Sequence, residues 1–347
     1  MRNPSNFRFV LARRPGAVPS GDDFRVEHDE LPPVRDRQLL LRTLAISIDR
    51  CANERARGTS LCEPGMDLGE VMRGCTVSEV LESRHPAFKP GDAVLAWSGW
   101  QEREVVDGSS IRRKLHRNAA PPMSALGAYG IYGYVAYKAM QEVARPVAGE
   151  TVLIGSAASP TGEIAGQIAR QRGARVVGVT SSAEKCAWLV DELEFDAALD
   201  RHDPDFDARL RAACPDGIDV LLLGVDSTAF ERALPLLNMD ARMPVWGTTM
   251  YGSDRVREGH DRMPYLLSAI ANRRLQVTSW TRTPVSQIDA LRLNDPEFLA
   301  TMGRWLREGT IRHREDVQHG LHNAPAALER LVRGDNFGKL IVQVAGP

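Results

Sequence analysis

Apolar positions over roughly the first 120 residues come in short runs, cut every few residues by Gly, Pro or Asp, which predicts an all-β module. FRFVLA (7–12), QLLLRTLAIS (38–47) and DAVLAW (92–97) are the clearest strands, the last launched by a Pro-Gly-Asp turn. From about Ala125 apolar runs alternate with amphipathic segments. TVLI (151–154) leads to a helix from about Glu163 to Arg172, then come ARVVGVT, a helix through Glu184–Leu193, FDAALD, GIDVLLLGV, a helix through Phe230–Leu237 and RMPVWGTT. Strand and helix alternating at this spacing predict a doubly wound parallel sheet. The last forty residues return to β, ending NFGKLIVQVAG. A β module split between 1–128 and 308–347 is therefore expected around a Rossmann-type segment over 129–307, an α/β chain of two domains.

Composition narrows the partners more than the fold. A formal charge of −1 over 347 residues gives no electrostatic case for nucleic acid or a membrane surface. The five cysteines are odd in number and widely spaced without a CxxC pair, against both a disulfide framework and a structural zinc site. No apolar stretch approaches the ~20 residues of a membrane span. The first residues, MRNPSNFRFVLARRPG, are too polar for a signal peptide, so a reducing cytoplasm is the expected setting.

The candidate chemistry begins at GSAASPTGEIAG (155–166), between TVLI and QIARQRG. Where a dinucleotide turn places three glycines, this one has Ala157, Ser159 and Gly162, leaving only the glycine that packs helix on strand. Glu163 stands in the first helical turn, where free N–H groups and the helix dipole attract phosphate. Either it faces the pocket and opposes a pyrophosphate, or it points to solvent as a favourable first-turn acid. The end of the next strand, ARVVGVTSSAEKC, has no acid for ribose hydroxyls but offers Thr180, Ser181, Ser182 and Lys185. That set fits a 2′-phosphate, hence NADP; the alternative is a polar loop with a solvated lysine.

Several phrases together resemble the zinc-independent medium-chain reductases that reduce alkenal and alkenone double bonds with NADPH, the group of the leukotriene B4 dehydrogenase/prostaglandin reductases and curcumin reductase. They include LARRPG (11–16), LAISID (44–49), GEVMRG (69–74), SRHPAFKPGDAVLAWSGWQE (83–102), ARPVAGETVLI (144–154), GQIARQRGARVVGV (166–179), CPDGIDV (214–220) and DNFGKLIVQV (335–344), in order from end to end. The resemblance implies a chaperonin-10-like β domain with a Rossmann domain inserted, an active site in the cleft between them, no metal, and a homodimer. It also places Gly162, Ser182, Lys185, Arg201 and Asn336 at the NADP(H) site, with Gly338 and Lys339 near the nicotinamide and Tyr251 where the family has a Tyr-Asn.

The departures from the family pattern fall on the path of the cofactor and substrate. Pro-Tyr-Met-Arg after LAISID becomes Arg50, Cys51, Ala52 and Asn53; Asn-Val-Gly-Gly after the fourth strand becomes Gly224, Val225, Asp226 and Ser227. Two carboxylates, Glu163 and Asp226, facing a pyrophosphate at ~4–6 Å would each cost on the order of 1–4 kcal/mol. The sequence thus predicts weak NADPH affinity. Cys51, Tyr132, Tyr134, Trp246, Tyr251 and Asn336 are the expected walls and hydrogen-bond donors of a pocket for a small hydrophobic substrate, and Trp97 and Trp100 also map near it. For each aromatic the alternative is an ordinary core side chain. Three functions remain open on these residues: a cofactor-independent cyclisation or rearrangement of a hydrophobic, polyketide-like substrate, which the departures favour; an NADPH-dependent double-bond reductase; or a silent binding protein.

Overall fold

The structure, a computed structural model, describes residues 5–59, 64–116, 118–223, 229–245, 263–279 and 294–345. The chain divides into a sheet unit, Met1–Ile131 with Ser286–Arg307 and Arg314–Pro347, and a nucleotide-type unit, Tyr132–Val285 with Glu308–His313.

The sheet unit opens with an antiparallel pair, β1 (Ser5–Leu11) and β2 (Phe24–Glu30). The long strand β3 (Gln38–Ser47) alternates buried and half-buried positions from Gln38 to Arg42, then is buried on both faces to Ser47. Neighbours on each side are what such a strand needs, and β3 has them: β4 (Thr76–Ser83) and β6 (Arg103–Asp107) both pair with it antiparallel. Between them α1 (Arg50–Arg57) stops at Gly58, whose φ of 70° lets the chain turn off the helix. The strands β5 (Ala93–Ala96) and β7 (Arg113–Leu115) extend the sheet beyond β4.

The second unit begins with α2 (Ile131–Lys138), which widens into a π-helical stretch over Ala139–Ala144. Its strands β8 (Thr151–Ile154), β9 (Arg175–Thr180), β10 (Ala197–Asp200), β11 (Ile218–Leu222), β12 (Leu237–Pro244) and β13 (Gln276–Thr278) form one parallel sheet in the order β10-β9-β8-β11-β12-β13. The chain runs outward from β8 to β10 and then returns to β11 on the other side of β8. This order leaves a crevice beyond the strand C-termini between β8 and β11, where doubly wound sheets bind ligands. The connecting helices are α3 (Pro160–Gln171), α4 (Ala183–Ala187), α5 (Phe206–Ala213), α6 (Ala229–Ala233) and α7 (Met263–Arg273). The strand–helix alternation read from the sequence is this unit.

The chain then returns to the sheet unit through α8 (Pro296–Glu308), β14 (Glu315–His319), α9 (Ala324–Arg333) and β15 (Lys339–Gln343). The strand β15 pairs parallel with β14 and antiparallel with β3. The observed division differs from the expected one at 128 and 307. The helix α8 belongs to the sheet unit as far as Arg307, with fully buried Phe298 6.4 Å from the Tyr129 ring, whereas Glu308–His313 belongs to the other. Buried Gln167 of α3 holds that short segment: its amide donates to Arg312 O (2.7 Å) and accepts from Arg312 N (2.8 Å).

Trp100, expected near the substrate, is instead a core residue. It is 1% exposed, with Phe24 at 5.2 Å and Phe9 at 6.3 Å between ring centroids. Trp100→Ala should therefore lower unfolding free energy by ~3–5 kcal/mol, as large aromatic deletions do. Urea unfolding measures this, and nucleotide affinity of the folded variant should stay at the wild-type value.

Candidate active site

The turn after β8 is built by three close approaches. Gly155 N donates to Leu222 O (2.8 Å) and Ala157 N to Val179 O (2.9 Å), tying the turn to both neighbouring strands. A Cβ on Gly162 would lie 2.6 Å from Ser156 O and 2.8 Å from Ala157 Cα, both backbone atoms, so the helix reaches the turn only with glycine there. Ser159 is the N-cap of α3, its hydroxyl accepting from Gly162 N at 3.2 Å. The serine in the middle-glycine place thus satisfies one of the helix's free donors. Beside it, Thr161 Oγ1 is buried without a hydrogen-bond partner among the described residues. Glu163 is 1% exposed, which removes the solvent-facing alternative.

At the C-terminal tips of β9 and β10 the structure brings together the residues predicted for the 2′-phosphate. Thr180 ends β9 opposite Asp200 of β10, and Arg201 N donates to Thr180 O at 3.0 Å. Ser182 caps α4 by accepting from Lys185 N (3.3 Å), and Lys185 Nζ lies 3.3 Å from Ser181 Oγ. Arg201 Nε donates to His202 Nε2 at 3.2 Å on the exposed side. The Lys185 ammonium and the Ser181 hydroxyl thus lie together after β9, which ends without a carboxylate, while Asp200 and Arg201 follow at the end of β10.

In the sheet unit, Cys51 occupies the first turn of α1 and is half-buried. Asn336 is also half-buried and gives one N–H of its amide to Gly338 O at 2.9 Å. The segments that carry them are joined by an ion pair that the sequence reading did not find. Lys339 Nζ is 2.8 Å from Asp49 Oδ1 and donates to Ile48 O at 2.8 Å, while Asp49 Oδ2 accepts from Ser47 Oγ at 2.7 Å. A lysine opening the apolar run KLIVQ and an aspartate closing LAISID were the signal. Arg113, also buried, donates to Tyr129 O and stacks 4.7 Å over the Tyr129 ring; burial lowers its pKa. In the second unit Tyr132 is half-buried, and Tyr134 is buried under Lys138 Nζ at 5.6 Å. Trp246, Tyr251 and Asp226 lie outside the described residues.

Among the described residues no group of three or more His, Cys, Asp or Glu side chains is arranged to hold a metal, and no helix is long and apolar enough to cross a membrane. Residues 8–113 match the family described as the N-terminal domain of oxidoreductase, and residues 160–288 the one described as zinc-binding dehydrogenase. The NADPH-dependent curcumin reductase of Escherichia coli (strain K12) is 38% identical, over 98% of this chain and 97% of that one. The chain belongs to the zinc-independent medium-chain dehydrogenase/reductase superfamily. The NADP(+)-dependent 2-alkenal reductase of Nicotiana tabacum is 28% identical over 98% of both chains. The crystal structure of CurA from Vibrio vulnificus in complex with NADPH is 33% identical with a TM-score of 0.89, covering 98% of this chain and 100% of that one.

These medium-chain relatives correct two expectations. The cofactor-independent cyclisation finds no support among them: the named relatives are reductases that use NADPH or NADP. The predicted weakness toward NADPH finds none either. Of the three residues behind it, Ser159 serves as a helix cap, Glu163 is buried, and Asp226 lies outside the described residues.

Two outcomes follow from this geometry. Gly162→Ala should push the backbone of the turn away from α3, destabilising the fold by ~1–3 kcal/mol and weakening NADPH binding; calorimetry of the variant reads both. Burial pushes the thiols of Cys75, Cys186 and Cys214 up from 9.0 to about 11. The folded chain then holds these protons to higher pH than the unfolded chain, so their contribution is complete below pH 9.0 and is lost as pH rises toward about 11. The thermal midpoint should fall across that window, and iodoacetamide at neutral pH should leave native Cys75 unlabelled.

Proposed function

We propose that the protein is an NADPH-dependent reductase of an activated carbon–carbon double bond, in an alkenal or enone of small hydrophobic character. The observation that carries this reading is the phosphate-type donor set of Ser181, Ser182, Lys185 and Arg201 at the tips of β9 and β10. Thr161, whose buried hydroxyl is unpartnered among the described residues, adds a donor in the first turn of α3, where a pyrophosphate belongs. The names of the relatives agree with both cofactor and reaction class.

In this assignment Ser181, Ser182, Lys185 and Arg201 hold the 2′-phosphate, and the first turn of α3, packed on its turn through Gly162, receives the pyrophosphate. NADPH, when bound, supplies the hydride. The protein's own task is to orient the acceptor and to stabilise charge developing on its carbonyl oxygen. Asn336 has a second amide N–H beyond the one given to Gly338 O, and that donor is assigned to the carbonyl. Cys51, in the same unit, is assigned to the substrate wall.

The test is turnover of a simple enone by dialysed protein with and without NADPH, with the product weighed by mass spectrometry. The product should gain two hydrogens only when NADPH is present; an isomer of unchanged mass, formed without nucleotide, would overturn the assignment. Titration by quenching of tryptophan fluorescence should give an NADPH dissociation constant at or below about 10 μM, near −7 kcal/mol. Lys185→Ala should raise it roughly 10- to 100-fold, the loss of a charge-assisted hydrogen bond, while leaving NADH binding unchanged.

A further inference from the structure

The Asp49–Lys339 pair is buried, with side chains 12% and 3% exposed. A buried ion pair is a poor device for stability alone, because desolvating two charges offsets most of their attraction. What this one does is join three segments that are distant in sequence. Asp49 is the residue immediately before α1, whose first turn carries Cys51. Lys339 follows directly on the turn in which Asn336 donates to Gly338 O. Gly338 is confined to a φ of 84°, and a Cβ there would come within 2.2 Å of Arg314 O, so this turn has little room to shift. The stem of Lys339 also runs past Gly127, where an added Cβ would lie 3.6 Å from Lys339 Cγ. The ammonium therefore ties the start of α1 to the Asn336–Gly338 turn, donating to Ile48 O as well, while the Ser47 hydroxyl donates to the Asp49 carboxylate.

We propose that Lys339 is a positioning residue for substrate reduction. Through Asp49 it fixes Cys51 relative to Asn336, and so sets the substrate side of the site without touching substrate. This inference rests on the reductase reading for its kinetic consequence, but not for its structural one. Lys339 and Asp49 lie in the sheet unit and the proposed 2′-phosphate residues in the other, so the preference for NADPH over NADH should be untouched.

The experiment compares wild type with the doubly neutral Asp49→Asn/Lys339→Met variant, which leaves no lone buried charge, and with Lys339→Arg, which keeps the charge but not the fit. Three quantities are read: kcat/KM for an enone, the ratio of the NADH to the NADPH dissociation constant, and the alkylation rate of Cys51 by peptide mapping. Misplacement of substrate contacts should lower kcat/KM roughly 10- to 100-fold. The preference for NADPH over NADH should stay within about twofold, and Cys51 should alkylate faster, with Lys339→Arg showing the same signature more mildly. Should the double variant fail to fold, Lys339→Arg alone carries the comparison. A folded variant that keeps wild-type kcat/KM, or that loses the preference for NADPH in parallel, overturns the proposal. If the wild-type protein reduces no enone, the reductase reading has failed separately and the Cys51 rate decides: faster alkylation supports the tether and an unchanged rate overturns it.

Discussion

The nucleotide-type unit depends on the approach of α3 to the turn that follows β8. Backbone atoms of Ser156 and Ala157 stand within 2.8 Å of where a side chain at Gly162 would begin, so turn and helix form one continuous surface. That contact fixes where the helix N-terminus points, and the N-terminus is the charged end that receives an anion. The rest follows from it. The Ser159 cap can close on Gly162 N because helix and turn are already in register, and Gly166, one turn on, lets the tip of the buried Phe195 ring come in against the helix. A single methylene at either glycine would move the anion-facing end of the helix.

Much of the architecture was legible because it is written in local period. The alternation of apolar runs and amphipathic segments after Ala125 is a parallel sheet, and the short interrupted runs before it are antiparallel strands. The cluster at the tips of β9 and β10 was legible for the same reason: strand ends and helix caps are neighbours in sequence. What local pattern does not encode is partnership at long range. The stretch that forms α8 was assigned to the Rossmann-type segment, and that it packs with Tyr129 in the sheet unit is a tertiary fact. Lys339 and Asp49 are 290 positions apart, and neither announces the other.

One misreading came from assigning chemistry to a residue type without knowing its surroundings. Trp100 reads as a wall for an apolar ligand until it is found packed with Phe9 and Phe24. The ordinary structural use of the side chain outweighed the specialised one. Ser159, in place of a glycine, has such a use as well, its hydroxyl accepting from the helix backbone. The charge argument over Glu163 and Asp226 was sound in its arithmetic, but it needed geometry that a sequence does not supply.

The placement of β15 between β14 and β3 has a consequence for how the protein is made. Ile341–Gln343 pair with Ala45–Ser47 on the edge that β6 covers at Gln38–Arg42, so the C-terminal end of the first long strand to leave the ribosome waits for nearly the last residues before that edge is closed. The nucleotide-type unit is different: five of its six strands lie within Thr151–Pro244, so most of its sheet assembles from nearby chain. Synthesis at ~5–20 residues per second favours domains that close early, and pairing across such a sequence separation is slow to form. Local pairing thus favours assembly of the inserted unit while the C-terminal end of β3 still has an open edge, and an edge left open in that interval is one the chain must keep from aggregation.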